Sequence, residues 1–270
     1  MPVTHEVEGS KPFRSAILNT WLITTKVEMK RIVLILSLLI CQSSIAATQY
    51  VYNVTREEVV TEYASDLVRP IASVTKLMTA LVVVTGRDDL IEKIPYGRSK
   101  RTREELLYLM MVKSDNQAAE ALARGYRGGR DNFIIQMNLR AYELGMVHTF
   151  YDDPSGLSRA NQSTAKDLAI LLRHAHLFEK IREVASTASY TITEQSKKRK
   201  YRTITVNNTN INLLKDYKEI EISKTGFTNP AGKCLAMFVS KHGESFVIVI
   251  LGEHNTKSVQ KVSRHIIDNL

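Results

Sequence analysis

Cysteine is nearly absent from this sequence: two residues in 270, at Cys41 and Cys234. That excludes a disulfide-dense scaffold, so the fold must rest on an apolar core. Glycine and proline are also sparse, at 12 and 6, and no repeat period or low-complexity segment occurs, which excludes collagen-like, solenoid and disordered readings. No apolar run is long enough to span a bilayer. The longest, Ile32 to Ile40, is about half the ~20 residues required. What remains is 44% hydrophobic and 24% charged, the make-up of one large globular domain or two small ones, with a formal net charge of +9. In an exported protein that charge favours anionic envelope polymers; in a cytosolic one it would point to nucleic acid.

The N-terminal region decides the compartment. From Met29, "MKRIVLILSLLICQSSIAAT" has a basic start (Lys30, Arg31), an apolar stretch and small residues ending at Ala46 and Ala47. This is the layout of a cleaved secretory signal, with cleavage near Ala46 or Ala47. A lipoprotein cysteine at Cys41 is disfavoured by the bulky Ile40 before it. Residues 1–28 fit neither a signal nor a folded element and read as an extension upstream of the true start at Met29. The expected division is therefore 1–28 extension, 29–46 signal peptide and 47–270 a single domain. The location is the periplasm, with no nucleic-acid partner and no stable membrane anchor. Cys234 then remains as a small core residue.

Along the mature chain, "TQYVYNVTREEVVTEYA" predicts two strands around a turn at Thr55 and Arg56. A nearly all-apolar helix is predicted over Ser73–Thr85, beyond Arg69-Pro70. Thr102 and Glu105 form a capping box before "LLYLMMVK". "NQAAEALAR" is expected to stop at Gly125 as a C′ residue, and Asp131 to cap "NFIIQMNLRAYEL", which stops at Gly145. "YDDPSGLSRANQ" is a turn-rich loop, after which Ser163 or Thr164 opens "AKDLAILLRHAHL". From Ser189 the pattern alternates: "SYTIT", "KYRTITVNN", "EIEISKTGFT", "GKCLAMFVS" and "SFVIVILG" read as strands, and "TKSVQKVSRHIIDNL" closes as an amphipathic helix. The order predicts an α+β fold, with strands from both ends joined in one antiparallel sheet packed against helices. The run Lys197–Lys200 ("KKRK") reads as a solvated hairpin face. His174 and His176, two apart on a helix, lie on different faces, so neither a metal nor any other cofactor is expected.

Three short motifs carry the chemistry: "SVTK" (Ser73–Lys76), "SDN" (Ser114–Asn116) and "KTG" (Lys224–Gly226). On a helix, residues i and i+3 share a face, so Ser73 and Lys76 can meet. Free N–H groups at the helix start favour an oxyanion beside Ser73. Lysine is a poor base at its ordinary pKa of about 10.4. Burial beside a second cation, Lys224, would lower that value and activate the serine. Ser114 can relay a proton between Lys76 and the leaving amine, and Asn116 can hold Lys76 and the substrate amide. Thr225 and Lys224 can receive a substrate carboxylate, while Gly226 admits a peptide backbone to a strand edge. The N–H groups of Ser73 and Phe227 are the expected oxyanion hole. Asp115, and "DPSGL" at Asp153–Leu157, read as structural support.

S-x-x-K, S-D-N and K-T-G in this order are the signature set of class A β-lactamases and penicillin-binding proteins. The sequence resembles the low-molecular-mass penicillin-binding proteins of the D-alanyl-D-alanine carboxypeptidase and endopeptidase family, in "RPIASVTKLMTA", "SDNQAAEALA", "FIIQMNLRAYELGM", "DPSGLSRANQSTAKDLA" and "KTGFTNPAGKCLAM". "KTGFTNPAGKCL" looks closest to the D-Ala-D-Ala endopeptidases of the penicillin-binding protein 7 kind. The resemblance implies a β-lactamase/transpeptidase-like fold, a five-stranded antiparallel sheet against a helical cluster. It implies peptidoglycan stem peptides as substrates and β-lactams as covalent inhibitors. The stretch after Gly226 leaves no room for the extra C-terminal domain of many such carboxypeptidases. "TGRDDLIEKIPYGRSKRT", between Val84 and Arg103, is shorter than usual in the family and is expected to alter one cleft wall. Three functions follow: a serine D,D-peptidase (endopeptidase, or alternatively carboxypeptidase), a β-lactamase, or a degenerate wall-binding protein without catalysis. A β-lactamase of class A needs an extra glutamate for deacylation, and "HTFYDDPSGLSRANQ" offers no Glu-x-x-Leu-Asn pattern.

Overall fold

Strands β10 (Gly232–Lys241) and β11 (Glu244–Glu253) read as unbroken apolar runs because both their faces are buried. Cys234, Ala236 and Phe238 enter one core, and Leu235, Met237 and Val239 enter the other. This is the period-two alternation of a strand between two layers. The computed structural model that shows this describes residues 47–195 and 201–270. The expected extension, signal peptide and Lys197–Lys200 run lie outside the described residues.

A five-stranded antiparallel sheet has the order β2-β1-β11-β10-β9, with β1 at Thr48–Asn53, β2 at Glu58–Tyr63 and β9 at Ile220–Thr228, while β3 (Arg69–Pro70) and β6 (Gln162–Ser163) pair separately. Strands from the two ends of the chain thus share one sheet, as expected: Thr48 lies opposite Leu251. His242 and Gly243, both at positive φ, make the two-residue turn between β10 and β11. One face carries the helical cluster. Its centre is α1 (Lys76–Thr85), in which every residue from Lys76 to Val83 is buried, and around it lie α2 (Arg103–Val112), α3 (Asn116–Arg124), α4 (Gly129–Glu143), α5 (Ala165–His176) and α6 (Glu179–Ser186). The other face is covered by α7 (Ile211–Asp216) and α8 (Thr256–Asp268), whose Leu213, Leu214, Val259 and Ile267 pack on Met237, Ile248 and Ile250.

Local capping matches the sequence in most places. Thr102 and Glu105 form the capping box of α2, and Thr164 accepts from the Asp167 N–H at the start of α5. α4 ends in a Schellman motif: Met146 N–H reaches the Ala141 carbonyl and Gly145 N–H reaches Tyr142.

Four readings need correction. The predicted helix from Ser73 begins instead as a 3-10 turn, Ala72–Thr75, with α1 starting at Lys76. Asp131 does not cap α4; Gly128, at φ +87°, is the N-cap and Asp131 sits in the first turn. Gly125 is a C-cap of right-handed conformation, and the reason for glycine there is space, since a Cβ would lie 2.7 Å from Ile94 Cδ1. Of the late strands, β7 (Ser189–Gln195) and β8 (Tyr201–Asn207) form their own hairpin outside the main sheet. The short stretch after Val84 folds as a second hairpin, β4 (Lys93–Tyr96) and β5 (Ser99–Thr102), with Ile94 in the core. α6 and α7 were not legible either: both are short and depend on tertiary packing.

Candidate active site

The three motifs converge from three different elements. Ser73 sits in the 3-10 turn, where side chains at i and i+3 eclipse, and this places Lys76 Nζ 2.9 Å from Ser73 Oγ. Ser114 lies between α2 and α3, and Asn116 is the first residue of α3. Lys224, Thr225 and Gly226 come from β9, which is an edge of the sheet.

Lys76 is completely buried and has three oxygen neighbours: Ser73 Oγ, Asn116 Oδ1 at 2.7 Å and the Ser155 carbonyl at 2.5 Å. Burial pulls its pKa down to about 7, against weaker opposing pulls from Asp153 and Asp115. A neutral amine has two N–H donors and one lone pair. The Asn116 and Ser155 oxygens can only accept, so they take the two donors and leave the lone pair for the Ser73 hydroxyl. The Ser155 carbonyl is the partner that sequence reasoning missed. Only its loop position in "DPSGL" hinted at it.

Lys224 is buried as well, and burial, then the nearby Lys76, hold its pKa well below the ordinary value. Its Nζ reaches Ser114 Oγ at 2.9 Å and the Thr225 carbonyl at 2.8 Å. Ser114 therefore stands against the second lysine, while Asn116, two residues on, holds the first. To do so Ser114 adopts φ +61°, and Ala72, next to Ser73, adopts φ +46°. Left-handed backbone costs a side-chain-bearing residue roughly 1–2 kcal/mol, and such strain gathers at sites that the surroundings over-determine.

The loop 151–162 locks this geometry. Asp153 accepts from the N–H groups of Ser155, Gly156 and Ser158 and from the Ser155 hydroxyl. Burial alone would raise its pKa, but these donors hold the carboxyl below the ordinary range. Asn161 ties Thr75 Oγ1 to the Asp153 carbonyl, and Thr79 Oγ1 donates to the Pro154 carbonyl. Gly156 has φ +85°, and a Cβ there would meet the Ala72 carbonyl oxygen at 1.9 Å. Gly226 is under similar pressure, since a Cβ would lie 3.0 Å from Ser73 N. β9 can approach the serine this closely only because residue 226 has no side chain.

Asp115 Oδ1 caps α3 by accepting from Ala118 N–H, and Oδ2 accepts from Tyr96 of the β4–β5 hairpin. Among the described residues no group of three His, Cys, Asp or Glu side chains is placed to hold a metal ion. His176 instead pairs with Glu221 and stacks on Phe238. A cavity of about 310 Å³ opens at Ser73 and Ser114, passes Thr225, Gly226 and Phe227, and includes Thr209, whose hydroxyl accepts from Thr225 Oγ1 at 2.6 Å.

The sequence profile described as D-alanyl-D-alanine carboxypeptidase matches residues 92–255. The D-alanyl-D-alanine endopeptidase of Escherichia coli (strain K12) is 38% identical over 202 residues, 69% of this chain and 64% of that protein. That of Haemophilus influenzae is 35% identical over 252 residues, 87% of this chain and 84% of that protein. This chain thus spans a little under two-thirds of the Escherichia coli relative. Among solved structures, the Streptomyces K15 DD-transpeptidase superposes with a TM-score of 0.76 at 28% identity, covering 82% of this chain and 94% of that one. Penicillin-binding protein D2 of Listeria monocytogenes, in its ampicillin-bound form, gives 0.71 at 27% identity, covering 82% and 95%. The fold, the three motifs in their places and this degree of identity lead to one assignment: the chain belongs to the D-alanyl-D-alanine carboxypeptidase family of peptidases, family S11.

Proposed function

We propose that this protein is a serine D,D-peptidase acting on peptidoglycan, and that its preferred bond is the D-Ala peptide cross-link. The observation that carries the reading is the buried Lys76 amine 2.9 Å from Ser73 Oγ, where its neutral form can take the hydroxyl proton. Ser73 Oγ attacks the carbonyl carbon of the D-Ala bond while Lys76 Nζ takes the hydroxyl proton. The oxyanion forms against the N–H groups of Ser73 and Phe227. Ser114, bonded to Lys224, relays the proton that Lys76 took up to the departing amine, the C–N bond breaks and an acyl-serine remains. Water then hydrolyses the ester. Thr225 and Lys224 receive the carboxylate beside the scissile bond, and Asn116 also serves the substrate amide. Release of a terminal D-Ala, carboxypeptidase activity, is the second reading; the endopeptidase names of two of the relatives favour the first.

The β-lactamase reading is weaker. Among the described residues no carboxylate hydrogen-bonds Ser73 or Lys76, and Asp153 is fully engaged by its own loop. β-Lactams are therefore expected to acylate Ser73 and stay. The periplasm is the proposed location; no helix among the described residues is long and apolar enough to cross a membrane. The test is incubation of the protein with a fluorescent penicillin, then digestion of purified muropeptides. A stable label lost in Ser73→Ala, with cross-linked dimers converted to monomers, is the expected result. Labelling without peptide release would favour the non-catalytic wall-binding reading, and rapid antibiotic turnover the β-lactamase.

A further inference from the structure

The cavity at Ser73 does not end at the motif residues. It continues past Thr225 and Phe227 to Lys233 on β10 and to the first two turns of α8, at Thr256, Val259 and Gln260, with Thr209 and Asn210 also lining it. None of these six residues outside β9 belongs to the three motifs. The direction of this extension can be related to the reaction. The departing amine must lie beside the proton donor, Ser114, which touches Lys224. Next along β9 comes Thr225, whose hydroxyl meets Thr209. The cavity around that pair therefore adjoins the carboxylate position, and that carboxylate belongs to the leaving group. The whole cavity, from Ser73 to Gln260, measures about 310 Å³, the lower end of the ~300–1,000 Å³ typical of ligand sites.

Its charge fits an anionic occupant. Lys233 makes no ion pair among the described residues; its ammonium lies 3.7 Å from the centroid of the Phe227 ring, itself half exposed. Glu253 stands opposite it in the β10–β11 register without engaging it. A cation over an aromatic face, open to a cavity, is a docking point for a carboxylate whose chain covers the ring.

We infer that this extension, with Lys233, Phe227 and Gln260, is the subsite for the departing strand of a cross-linked peptide, and that the Lys233 ammonium receives an anionic group of that strand. The inference rests on the D,D-peptidase reading. A released D-alanine ends at the Thr225 carboxylate position, whereas the departing side of a cross-link continues beyond it. The site thus separates cross-link cleavage from terminal D-Ala release.

The experiment measures kcat/KM for a cross-linked muropeptide dimer and for a monomeric pentapeptide, alongside fluorescent-penicillin labelling. The variants are Lys233→Ala, Lys233→Arg and Gln260→Trp, the last filling the cavity from a different element. The ratio of dimer cleavage to D-Ala release is expected to fall about five- to tenfold in Lys233→Ala, mainly through KM, as for loss of one charge-assisted hydrogen bond. It is expected to fall in Gln260→Trp as well and to be largely kept in Lys233→Arg. An unchanged ratio in Lys233→Ala and Gln260→Trp, with wild-type labelling and cleavage intact, overturns the subsite alone. A wild-type protein that neither labels at Ser73 nor cleaves either peptide overturns the peptidase reading and the subsite with it.

Discussion

The state of Lys76 makes the rate of acylation a titration curve. The perturbation is protonation of the buried amine. Its pKa of about 7, against an ordinary 10.5, corresponds to 3.5 pH units, or about 5 kcal/mol at 1.36 kcal/mol per unit. Desolvation supplies the penalty on the ammonium, and the pulls of Asp153 and Asp115 offset only part of it. With a pKa near 7, about a tenth of the protein holds the free base at pH 6 and about nine-tenths at pH 8, so acylation should rise about tenfold across that interval and then level off. An ordinary lysine would give about a hundredfold rise over the same interval, with no levelling below pH 9. Second-order rates of fluorescent-penicillin acylation from pH 5 to 9 decide between these curves. The same shift has a signature in stability. The folded pKa lies below the unfolded one, so between about pH 7 and 10.5 the unfolded chain binds more protons than the folded chain, and this lysine's contribution to stability rises with pH across that window. A rate that climbs tenfold per unit straight through pH 9 would refute the claim that Lys76 acts as a neutral base.

Asn116→Ala removes one of the two acceptors that orient Lys76, and acylation should fall ten- to a hundredfold, with stability reduced by about 1–3 kcal/mol in a denaturant melt. Gly156→Ala forces a side chain against the Ala72 carbonyl at positive φ; a loss of more than about 3 kcal/mol, seen as a large drop in Tm together with lost penicillin labelling, is expected. Tyr96→Phe deletes the hydroxyl that links the β4–β5 hairpin to Asp115 and should cost about 1 kcal/mol. Unchanged stability and acylation in that variant would show that the short hairpin does not support the site.

Much of this arrangement is legible in the sequence, because the motifs encode chemistry locally and the strands encode burial by alternation. Ser73, Lys76, Ser114, Asn116, Lys224, Thr225, Gly226 and Phe227 were all singled out from spacing and resemblance, and the structure gathers the eight around one cleft. The joining of the first strand to the last followed from the order of the elements. Other features had no local signal. The 3-10 start at Ala72 is imposed by contact with Gly156 and β9, not by any residue in the turn. The Ser155 carbonyl is a main-chain atom and leaves no trace in residue type. Thr209, Lys233 and Gln260 join the cavity from three elements far apart in sequence, so only the packed sheet brings them together.

The central position of β11 also governs how the chain acquires its site. β1 is held on its inner side by β11, almost the last element to be made, and β9 is held by β10, which in turn leans on β11. The edge that carries Lys224 to Phe227 therefore has no seat until nearly the whole chain is available. Contacts of such long sequence separation close slowly, because the entropy of the loop is lost before the pairing compensates it. The helices can form early, but Ser73 and Lys224 meet only at the final step. Until β11 is inserted, the edges of β10 and β1 that face it remain unpaired, the part of the molecule most exposed to misassembly.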